Sequence, residues 1–225
     1  MIILPGIMNL ELPLAWLRRM LVRAYPHCLV TIRPWGRPFG WIFNLQAHER
    51  NRVTAAAFGQ ELAAYRGLHP DARITLVGYS GGGGLAAMIV GSLPEGVTIN
   101  RLILVAPAIS PFHPITDKVL PRVSEFVVAY ASRFDLQVGQ GTKLFGNMDG
   151  IKGKGAGAVG FATEDYKLVQ VHWDRGMMRT LHFGDHFSYL SPLWQRHYLV
   201  PALDPAMTVR RLREHVAGRR FENRK

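Results

Sequence analysis

The sequence predicts an α/β protein in which a mostly parallel sheet of about six strands is covered by helices on both faces. Short apolar segments bounded by turn residues alternate with longer segments of helical periodicity, the order typical of parallel strands joined by crossover helices. The strand segments are apolar on both faces, which indicates a doubly wound, three-layer arrangement. No linker or internal repeat divides the chain, and its 225 residues, 48% of them hydrophobic, predict a single domain over residues 1–225.

The predicted strands end at residues that stop extended structure. Pro5 follows the first strand, Gly78 the third and Pro107 the fourth. We therefore expect loops at one edge of the sheet, where the carboxyl ends of parallel strands meet. The six predicted strands cover residues 1–4, 29–32, 74–77, 102–106, 125–131 and 168–173.

The helix candidates differ in how they should be buried. The first places Leu14, Leu17 and Leu21 near one face and turns its arginines outward, as in an amphipathic surface helix. The third is apolar all round, so we expect it to be buried. The four predicted helices cover residues 12–25, 47–66, 84–93 and 205–217.

A glycine-rich segment separates the fifth and sixth strands. Residues 139–160 contain eight glycines and little that could pack, so we expect a loop with at most a short helix, and the most mobile part of the chain. Gly155 to Gly160 matches the Gly-x-Gly-x-x-Gly fingerprint of dinucleotide sites. That fingerprint should follow a strand and precede an acidic residue by about 20 positions. Neither condition is met well, and no nucleotide role is predicted.

The chain is strongly basic. It has 27 Lys and Arg against 16 Asp and Glu, which gives a net charge of +11, so attraction to anionic partners is expected. The basic residues near the C-terminus, which continue into a tail from about residue 218, predict a solvated helix face or contact with an anionic membrane surface. Nucleic-acid binding is not predicted, because no helix-turn-helix or aromatic-basic pattern accompanies them. These residues are Arg210, Arg211, Arg213, Arg219, Arg220, Arg224 and Lys225.

The cysteine count and the apolar segments exclude several classes of protein. Cys28 is the single cysteine, so the chain has neither an intrachain disulfide nor a cysteine-based zinc site. The N-terminus lacks the features of a signal peptide, and no apolar segment approaches the ~20 residues of a membrane-spanning helix. We expect a soluble, cytoplasmic protein.

The segment around Ser80 carries the strongest functional signal. An apolar strand ends, a Gly-x-Ser-x-Gly sequence follows with Gly78 and Gly82 on either side of the serine, and a buried helix begins. This order is typical of a nucleophile elbow, in which small neighbours let the chain turn sharply and expose the serine at the edge of the sheet. The alternatives are a flexible glycine turn or a phosphate-binding loop, but the latter needs Lys and Ser or Thr where Leu85 and Ala86 stand.

A serine nucleophile needs a base and an orienting carboxylate. Asp135 follows the fifth strand, and His186 follows the sixth strand in a turn that contains Gly184. The chain order Ser, Asp, His is the one expected of this architecture.

Other residues compete for the base and the acid. Of the nine histidines, His182 is the serious rival to His186 because it lies four positions earlier in the same loop. Asp149 and Asp185 are alternatives to Asp135 as the acid. No pair of residues with metal-ligand spacing is visible, so no metal site is expected.

On these motifs the chain resembles the α/β-hydrolase superfamily, as a compact serine esterase or lipase-like member with a minimal cap. The resemblance extends from Leu4-Pro5-Gly6-Ile7 to the loop of His186. It implies the α/β-hydrolase fold and a triad of Ser80, His186 and Asp135 that hydrolyses an ester-type acyl bond.

The resemblance also implies an oxyanion hole. Relatives carry His-Gly-x after a strand, at the position where this chain has Pro5 in place of the histidine. Carried over to this sequence, the two donors are the backbone N–H groups of Ile7 and Gly81. The proline leaves the backbone donor intact.

The expected function is that of a serine hydrolase that cleaves small-molecule or lipid carboxylic esters through an acyl-enzyme, without a cofactor. The alternatives are a non-catalytic binding protein of the same fold, or an acyltransferase or thioesterase that uses the same site. A rigid apolar rim is predicted after the fourth strand, and a set of aromatic residues is predicted either to line an acyl pocket with it or to fill the core. The rim comprises Pro107, Pro111, Phe112, Pro114 and Pro121, and the aromatic residues are Trp35, Phe39, Trp41, Phe43 and Trp194.

Overall fold

The structure, a computed structural model, describes residues 1–222, with side chains through residue 218. Its centre is one six-stranded sheet in the order β2-β1-β3-β4-β5-β6, in which every neighbouring pair is parallel. This arrangement confirms the predicted fold class and number of strands. The strands are β1 (Ile2–Leu4), β2 (Thr31–Ile32), β3 (Thr75–Tyr79), β4 (Ile99–Val105), β5 (Val123–Ala131) and β6 (Leu168–His172).

Helices and shorter helical turns connect the strands. The connection between β4 and β5 holds only the turns Ile115–Val119 and Leu120–Arg122, which is a small cap. Further turns lie at Leu12–Leu14, Gln137–Gly141, Arg175–Thr180, Phe187–Leu190 and Gln195–Leu199. The α-helices are α1 (Ala15–Ala24), α2 (Trp41–Gln46), α3 (His48–Leu68), α4 (Gly81–Gly91), α5 (Thr142–Phe145), α6 (Ala156–Val159), α7 (Pro192–Trp194), α8 (Val200–Leu203) and α9 (Val209–Glu222).

The helices form separate cores on the two faces of the sheet. One core combines α3 and α4 with residues such as Leu76 and Leu104. The other combines α1, α9 and the helical segment from α7 to α8 with residues such as Val77 and Ile103. Neighbouring residues of one strand therefore enter opposite cores, which explains why the strand segments are apolar throughout.

Several predicted boundaries were wrong. The last helix begins at Val209 instead of residue 205, and α4 begins at Gly81 instead of residue 84. The helical segment from Pro192 to Leu203 was not predicted. The predicted tail residues Arg224 and Lys225 lie outside the described residues, as do the side chains of Arg219 and Arg220.

The expectation of a loosely packed glycine-rich segment is contradicted by its burial. Met148 and Ala156 are fully buried within residues 139–160. Gly157 lies so close to the backbone of Ala106 that a Cβ atom there would overlap it. The glycine at this position permits a close approach of two backbones, and the segment packs against the end of β4.

The chain changes direction across the sheet between β1 and β3. From β1 the chain crosses to β2 on one side, whereas β3 lies on the other side. In open parallel sheets, a crevice forms outside the carboxyl ends of the strands at such a point. The loop after β1 and the turn after β3 border this crevice.

Candidate active site

Ser80 occupies a strained turn between β3 and α4. Its backbone has φ of 56° and ψ of −122°, a conformation that costs on the order of 1–3 kcal/mol for a residue with a side chain. Hydrogen bonds hold the turn: the Ser80 N–H donates to Val105 C=O at 2.8 Å, and the Ser80 C=O accepts from Gly83 at 2.9 Å and Ala108 at 3.0 Å. The strain is therefore fixed by the surrounding backbone, which aims the side chain outward from the sheet edge.

The glycines that follow Ser80 allow other segments to press against the start of α4. A Cβ at Gly81 would overlap the side chain of Ile7, and one at Gly82 would overlap the carbonyl oxygens of Leu4 and Pro5. The glycine run therefore reflects close packing of the β1 loop on the elbow, and the alternative of a flexible turn is contradicted because all four glycines are buried.

The structure brings Ser80, His186 and Asp135 together. The distance from Ser80 Oγ to His186 Nε2 is 2.8 Å, and the distance from His186 Nδ1 to Asp135 Oδ2 is 2.6 Å. An ionised carboxylate only accepts hydrogen bonds, so Nδ1 carries the proton and Nε2 accepts the hydroxyl proton of Ser80. All three residues are buried, with exposures of 5% or less.

Each partner of Ser80 is held by its own local structure. Asp135 lies in the turn after β5, where its other carboxylate oxygen accepts the N–H of Val138 at 3.1 Å. His186 lies in the loop after β6 and stacks on the Tyr79 ring at a centroid distance of 5.0 Å. Tyr79 also donates its hydroxyl proton to the His186 carbonyl at 3.0 Å.

Tyr79 is a functional candidate that the sequence analysis missed. Burial, followed by the nearby Asp135 and Asp185 carboxylates, raises the pKa of Tyr79 far above its usual value. The hydroxyl is therefore protonated and available as a donor. Its place inside the Gly-x-Ser-x-Gly sequence was the available signal, because that position lies directly beside the nucleophile.

The rival residues lie elsewhere or have other partners. His182 is fully buried but is paired with Ser188, at 2.5 Å from Nδ1 to Oγ. Asp185 accepts the N–H groups of Phe187 and Ser188 at 3.0 and 3.1 Å. Asp149 lies 3.5 Å from His113 and accepts the N–H of Ser110. None of these three rivals contacts Ser80 or His186 in a hydrogen bond of the described structure.

The two predicted oxyanion donors lie beside Ser80. Gly6 approaches Ser80 closely, since a Cβ at Gly6 would lie 3.3 Å from the serine Cβ. A Cβ at Gly81 would lie 3.3 Å from the Ile7 nitrogen, so the two donor-bearing residues are neighbours. Within the described residues, neither the Ile7 N–H nor the Gly81 N–H donates a hydrogen bond, which leaves both free to bind an oxygen.

A cavity of about 560 Å³ opens at these residues. Its walls are mostly apolar, and the polar side chains that reach it, besides Ser80 and His186, are those of Tyr79, Gln137 and Thr142. None of its lining residues is Asp, Glu, Lys or Arg. The apolar lining residues are Ile7, Met8, Leu10, Pro13, Leu14, Trp41, Leu45, Ala108, Val138, Phe187 and Leu190, together with Gly6.

The two alternatives for the aromatic residues, pocket lining or core filling, each apply to some of them. Of those five aromatic residues, only Trp41 lines the cavity. Trp35 and Trp194 are buried in the two cores, Phe39 is exposed, and Phe43 lies beneath the guanidinium groups of Arg37 and Arg50.

The predicted rim also lies elsewhere. None of the five rim residues lies in the cavity wall, and Pro111 and Phe112 border a separate cavity of about 380 Å³. The pocket lies where the chain changes direction across the sheet between β1 and β3. Aromatic and proline content alone therefore did not locate it.

Within residues 1–222, no cluster of three or more His, Cys, Asp or Glu side chains is arranged to hold a metal ion. No helix in that part of the chain is long and apolar enough to span a membrane. The Gly155–Gly160 segment forms the short helix α6 before β6 and does not follow a strand directly.

Comparison with known proteins gave likenesses in structure alone. No protein-family model matches the chain, and no curated protein matches it. A Klebsiella pneumoniae protein described as a dienelactone hydrolase is similar, with a TM-score of 0.49, 12% identity, and coverage of 87% of this chain and 82% of that one. A YdeN-like hydrolase from Pectobacterium atrosepticum has a TM-score of 0.36 and 19% identity, with coverage of 85% and 92%.

A third similar structure is the NocB thioesterase domain in a covalent complex with a fluorophosphonate nocardicin G analogue. Its TM-score is 0.42 and its identity 13%, with coverage of 87% of this chain and 92% of that one. At TM-scores below 0.5, these likenesses do not determine the activity of the chain. The chain has the α/β-hydrolase fold because of two features of its own structure. These are the order of its parallel strands and the strained turn that carries Ser80.

Proposed function

We propose that the chain is a serine hydrolase that cleaves carboxylic esters through an acyl-enzyme intermediate. The observation that carries this proposal is the hydrogen-bonded chain from Ser80 through His186 to Asp135 at the wall of an apolar cavity. A serine, a histidine and a carboxylate with these distances and this tautomer have the geometry needed for nucleophilic catalysis.

In the first half of the reaction, Ser80 Oγ attacks the ester carbonyl carbon while His186 Nε2 accepts the hydroxyl proton. The carbonyl oxygen becomes an oxyanion and accepts hydrogen bonds from the Ile7 and Gly81 N–H groups, each of which stabilises it by about 3 kcal/mol. Collapse of this intermediate breaks the bond to the alcohol oxygen, which takes the proton from His186. Asp135 holds the imidazole in the required tautomer and stabilises its cationic form.

In the second half, His186 accepts a proton from water, and the resulting oxygen nucleophile attacks the acyl carbon. The acid is released and Ser80 regains its proton from His186. The cavity wall favours an uncharged, apolar acyl group, because a carboxylate or ammonium group would lose its hydration there without an opposite charge to pair with.

The proposal is tested by labelling with a fluorophosphonate, which reacts with an activated serine, and by hydrolysis of p-nitrophenyl esters. We expect the wild type to be labelled and active, and Ser80→Ala to lose both properties while its melting temperature changes little. Ser188→Ala is a matched control, since it removes another hydroxyl bound to a histidine. Equal ester hydrolysis by wild type and Ser80→Ala would contradict the proposal, as would absence of labelling of the folded wild type.

The same test separates the alternative functions. A binding protein of this fold would not react with the fluorophosphonate. A thioesterase would react and would prefer a thioester substrate, and an acyltransferase would react and would prefer an alcohol or amine acceptor.

Contact with an anionic membrane through the basic C-terminal residues stays a proposal. Arg213, the described member that reaches the sheet, donates to the backbone carbonyls of Asp165, Tyr166 and Leu168.

A further inference from the structure

The loop after β1 is held in place by a buried asparagine from α2. Asn44 is fully buried, and its amide nitrogen donates to the carbonyl oxygens of Ile7 and Arg37, both at 2.7 Å. Its side-chain oxygen accepts the N–H of Arg37 at 2.9 Å. Both amide hydrogens therefore form hydrogen bonds. One of them binds the carbonyl of Ile7, the residue whose N–H faces the elbow.

The peptide before Ile7 is fixed as well. The Gly6 carbonyl accepts the N–H of Asn9 at 2.8 Å. In a trans peptide the C=O and N–H groups point in opposite directions, so this bond directs the Ile7 N–H away from Asn9. With the Ile7 carbonyl bound to Asn44, the peptide groups on both sides of Ile7 are held, and neither φ nor ψ of this residue is free to change.

Asn9 links the same loop to the segment before α2. Its side-chain oxygen accepts the N–H of Trp35 at 2.8 Å, and its amide nitrogen donates to the Gly36 carbonyl at 2.5 Å. The Trp35 indole N–H donates to the Pro5 carbonyl at 2.8 Å. Asn9 has φ of 54°, a left-handed conformation that asparagine adopts more readily than most residues.

We propose that Asn44, supported by Asn9, is a positioning residue that holds the Ile7 N–H in the oxyanion hole. This inference rests on the proposed function. The loop forms part of the cavity wall and includes the exposed Met8, so the core does not enclose it. Pro5 supplies no side-chain hydrogen bond, and Asn44 provides the side-chain anchor on Ile7 itself.

The test compares substrate hydrolysis with binding of an alkyl boronic acid. Ser80 Oγ forms a bond to boron while its proton moves to His186, and the resulting tetrahedral anion places an oxygen where the ester oxyanion would form. At pH 8, Asn44→Asp replaces the two amide hydrogens with a carboxylate. We expect kcat to fall about 100-fold with KM nearly unchanged, and the Ki of the boronic acid to rise by a similar factor.

Asn147→Asp is the matched control. Asn147 is equally buried and also donates from its amide nitrogen to two backbone carbonyls, those of Ile151 and Gly153, but it lies outside the β1 loop. We expect this variant to lose thermal stability while its kcat and its Ki for the boronic acid stay within about threefold of the wild type. An equal rise of Ki in both variants would overturn the positioning role.

Asn9→Gly keeps the test decisive if Asn44→Asp does not fold. Glycine adopts the left-handed conformation at this position without strain, so the variant removes the two side-chain hydrogen bonds alone. We expect kcat and boronic acid affinity to fall together about tenfold. If the wild type hydrolyses esters and binds the boronic acid, and the folded variants do so equally well, the inference fails while the proposed function stands. If the wild type does neither, the proposed function itself fails.

Discussion

His186 and His182 lie on one loop, both are buried, and each lies within hydrogen-bond distance of a serine hydroxyl. They differ in what faces the second ring nitrogen. His186 has the Asp135 carboxylate 2.6 Å from Nδ1, whereas Nε2 of His182 has no hydrogen-bond partner in the described structure. A histidine–serine contact is therefore not sufficient for a catalytic assignment, because a base must also be stabilised when it becomes charged.

The surroundings of the two rings follow this difference. The His182 ring packs at 4.1 Å from the Tyr189 ring and 5.4 Å from the Trp194 ring, measured between centroids. Burial among these groups lowers the pKa of His182 to about 4, although the Asp185 carboxylate opposes the shift. His182 is thus a neutral packing residue at pH 7, whereas His186 lies at the cavity wall with a carboxylate behind it.

The largest expected effect comes from exchanging each histidine for glutamine. His186→Gln should lower kcat for p-nitrophenyl esters by a factor on the order of 10⁵, because no group remains to accept the proton of Ser80. His182→Gln should keep kcat within about tenfold of the wild type at a temperature where the variant is folded. Steady-state kinetics of both variants, with folding checked by circular dichroism, measures the difference.

An equal effect in the two variants would contradict the distinction between the two histidines. If His182→Gln lost as much activity as His186→Gln while fully folded, the two rings would have to act together and the assignment of His186 as sole base would be wrong.

A somewhat smaller effect is expected when the Asp135 carboxylate, which distinguishes His186 from His182, is replaced. Asp135→Asn should lower kcat by a factor of about 10⁴ at pH 7, because the amide donates to Nδ1 and forces the proton onto Nε2, where it faces Ser80. Asp185→Asn is the control. Burial would raise the pKa of Asp185, but hydrogen bonds from the Ser188 side chain and from backbone N–H groups outweigh burial and keep this pKa below its usual value.

We expect Asp185→Asn to cost stability and to change kcat by less than about tenfold, as measured by steady-state kinetics and thermal unfolding. A loss of activity in Asp185→Asn equal to that in Asp135→Asn would instead favour the acid adjacent to His186.

The proximity of the three proposed reacting groups was easier to predict from the sequence than the residues that support them. Ser80, Asp135 and His186 each follow the end of a strand, and the carboxyl ends of parallel strands meet at one edge, so their proximity was predictable. The role of Asn44 was not predictable in the same way, because it depends on contacts between loops distant along the chain and an isolated asparagine gives no pattern. Tyr79 had a signal in its place beside Ser80, but its contact with His186 depends on a loop distant along the chain.

The wrong fold predictions have a similar cause. Glycines that allow close backbone contact, such as Gly157, cannot be distinguished from glycines of a flexible loop by sequence alone.

The helical segment that begins at Pro192, by contrast, did carry a sequence signal. Ser191 precedes the proline and its hydroxyl accepts the N–H of Trp194 at 3.4 Å, which is the pattern of a helix N-terminus.

The smallest expected effect is a pH dependence of stability that His182 alone should produce. Its pKa is about 4 in the folded protein and about 6.5 in the unfolded chain, so between these values the unfolded state binds more protons. Stability from this residue is therefore complete above pH 6.5 and decreases as the pH falls towards 4, by about 3 kcal/mol in all. The free energy of unfolding in urea, measured from pH 7 to pH 4, gives the effect.

The contribution of His182 is isolated by the difference between wild type and His182→Gln, because other titrating groups are common to both proteins. The stability advantage of the wild type over the variant should shrink by about 3 kcal/mol between pH 7 and pH 4. A constant difference between wild type and His182→Gln across this range would mean that His182 accepts a proton in the fold as easily as in the unfolded chain. The contrast between the two histidines would then rest on the Asp135 carboxylate alone.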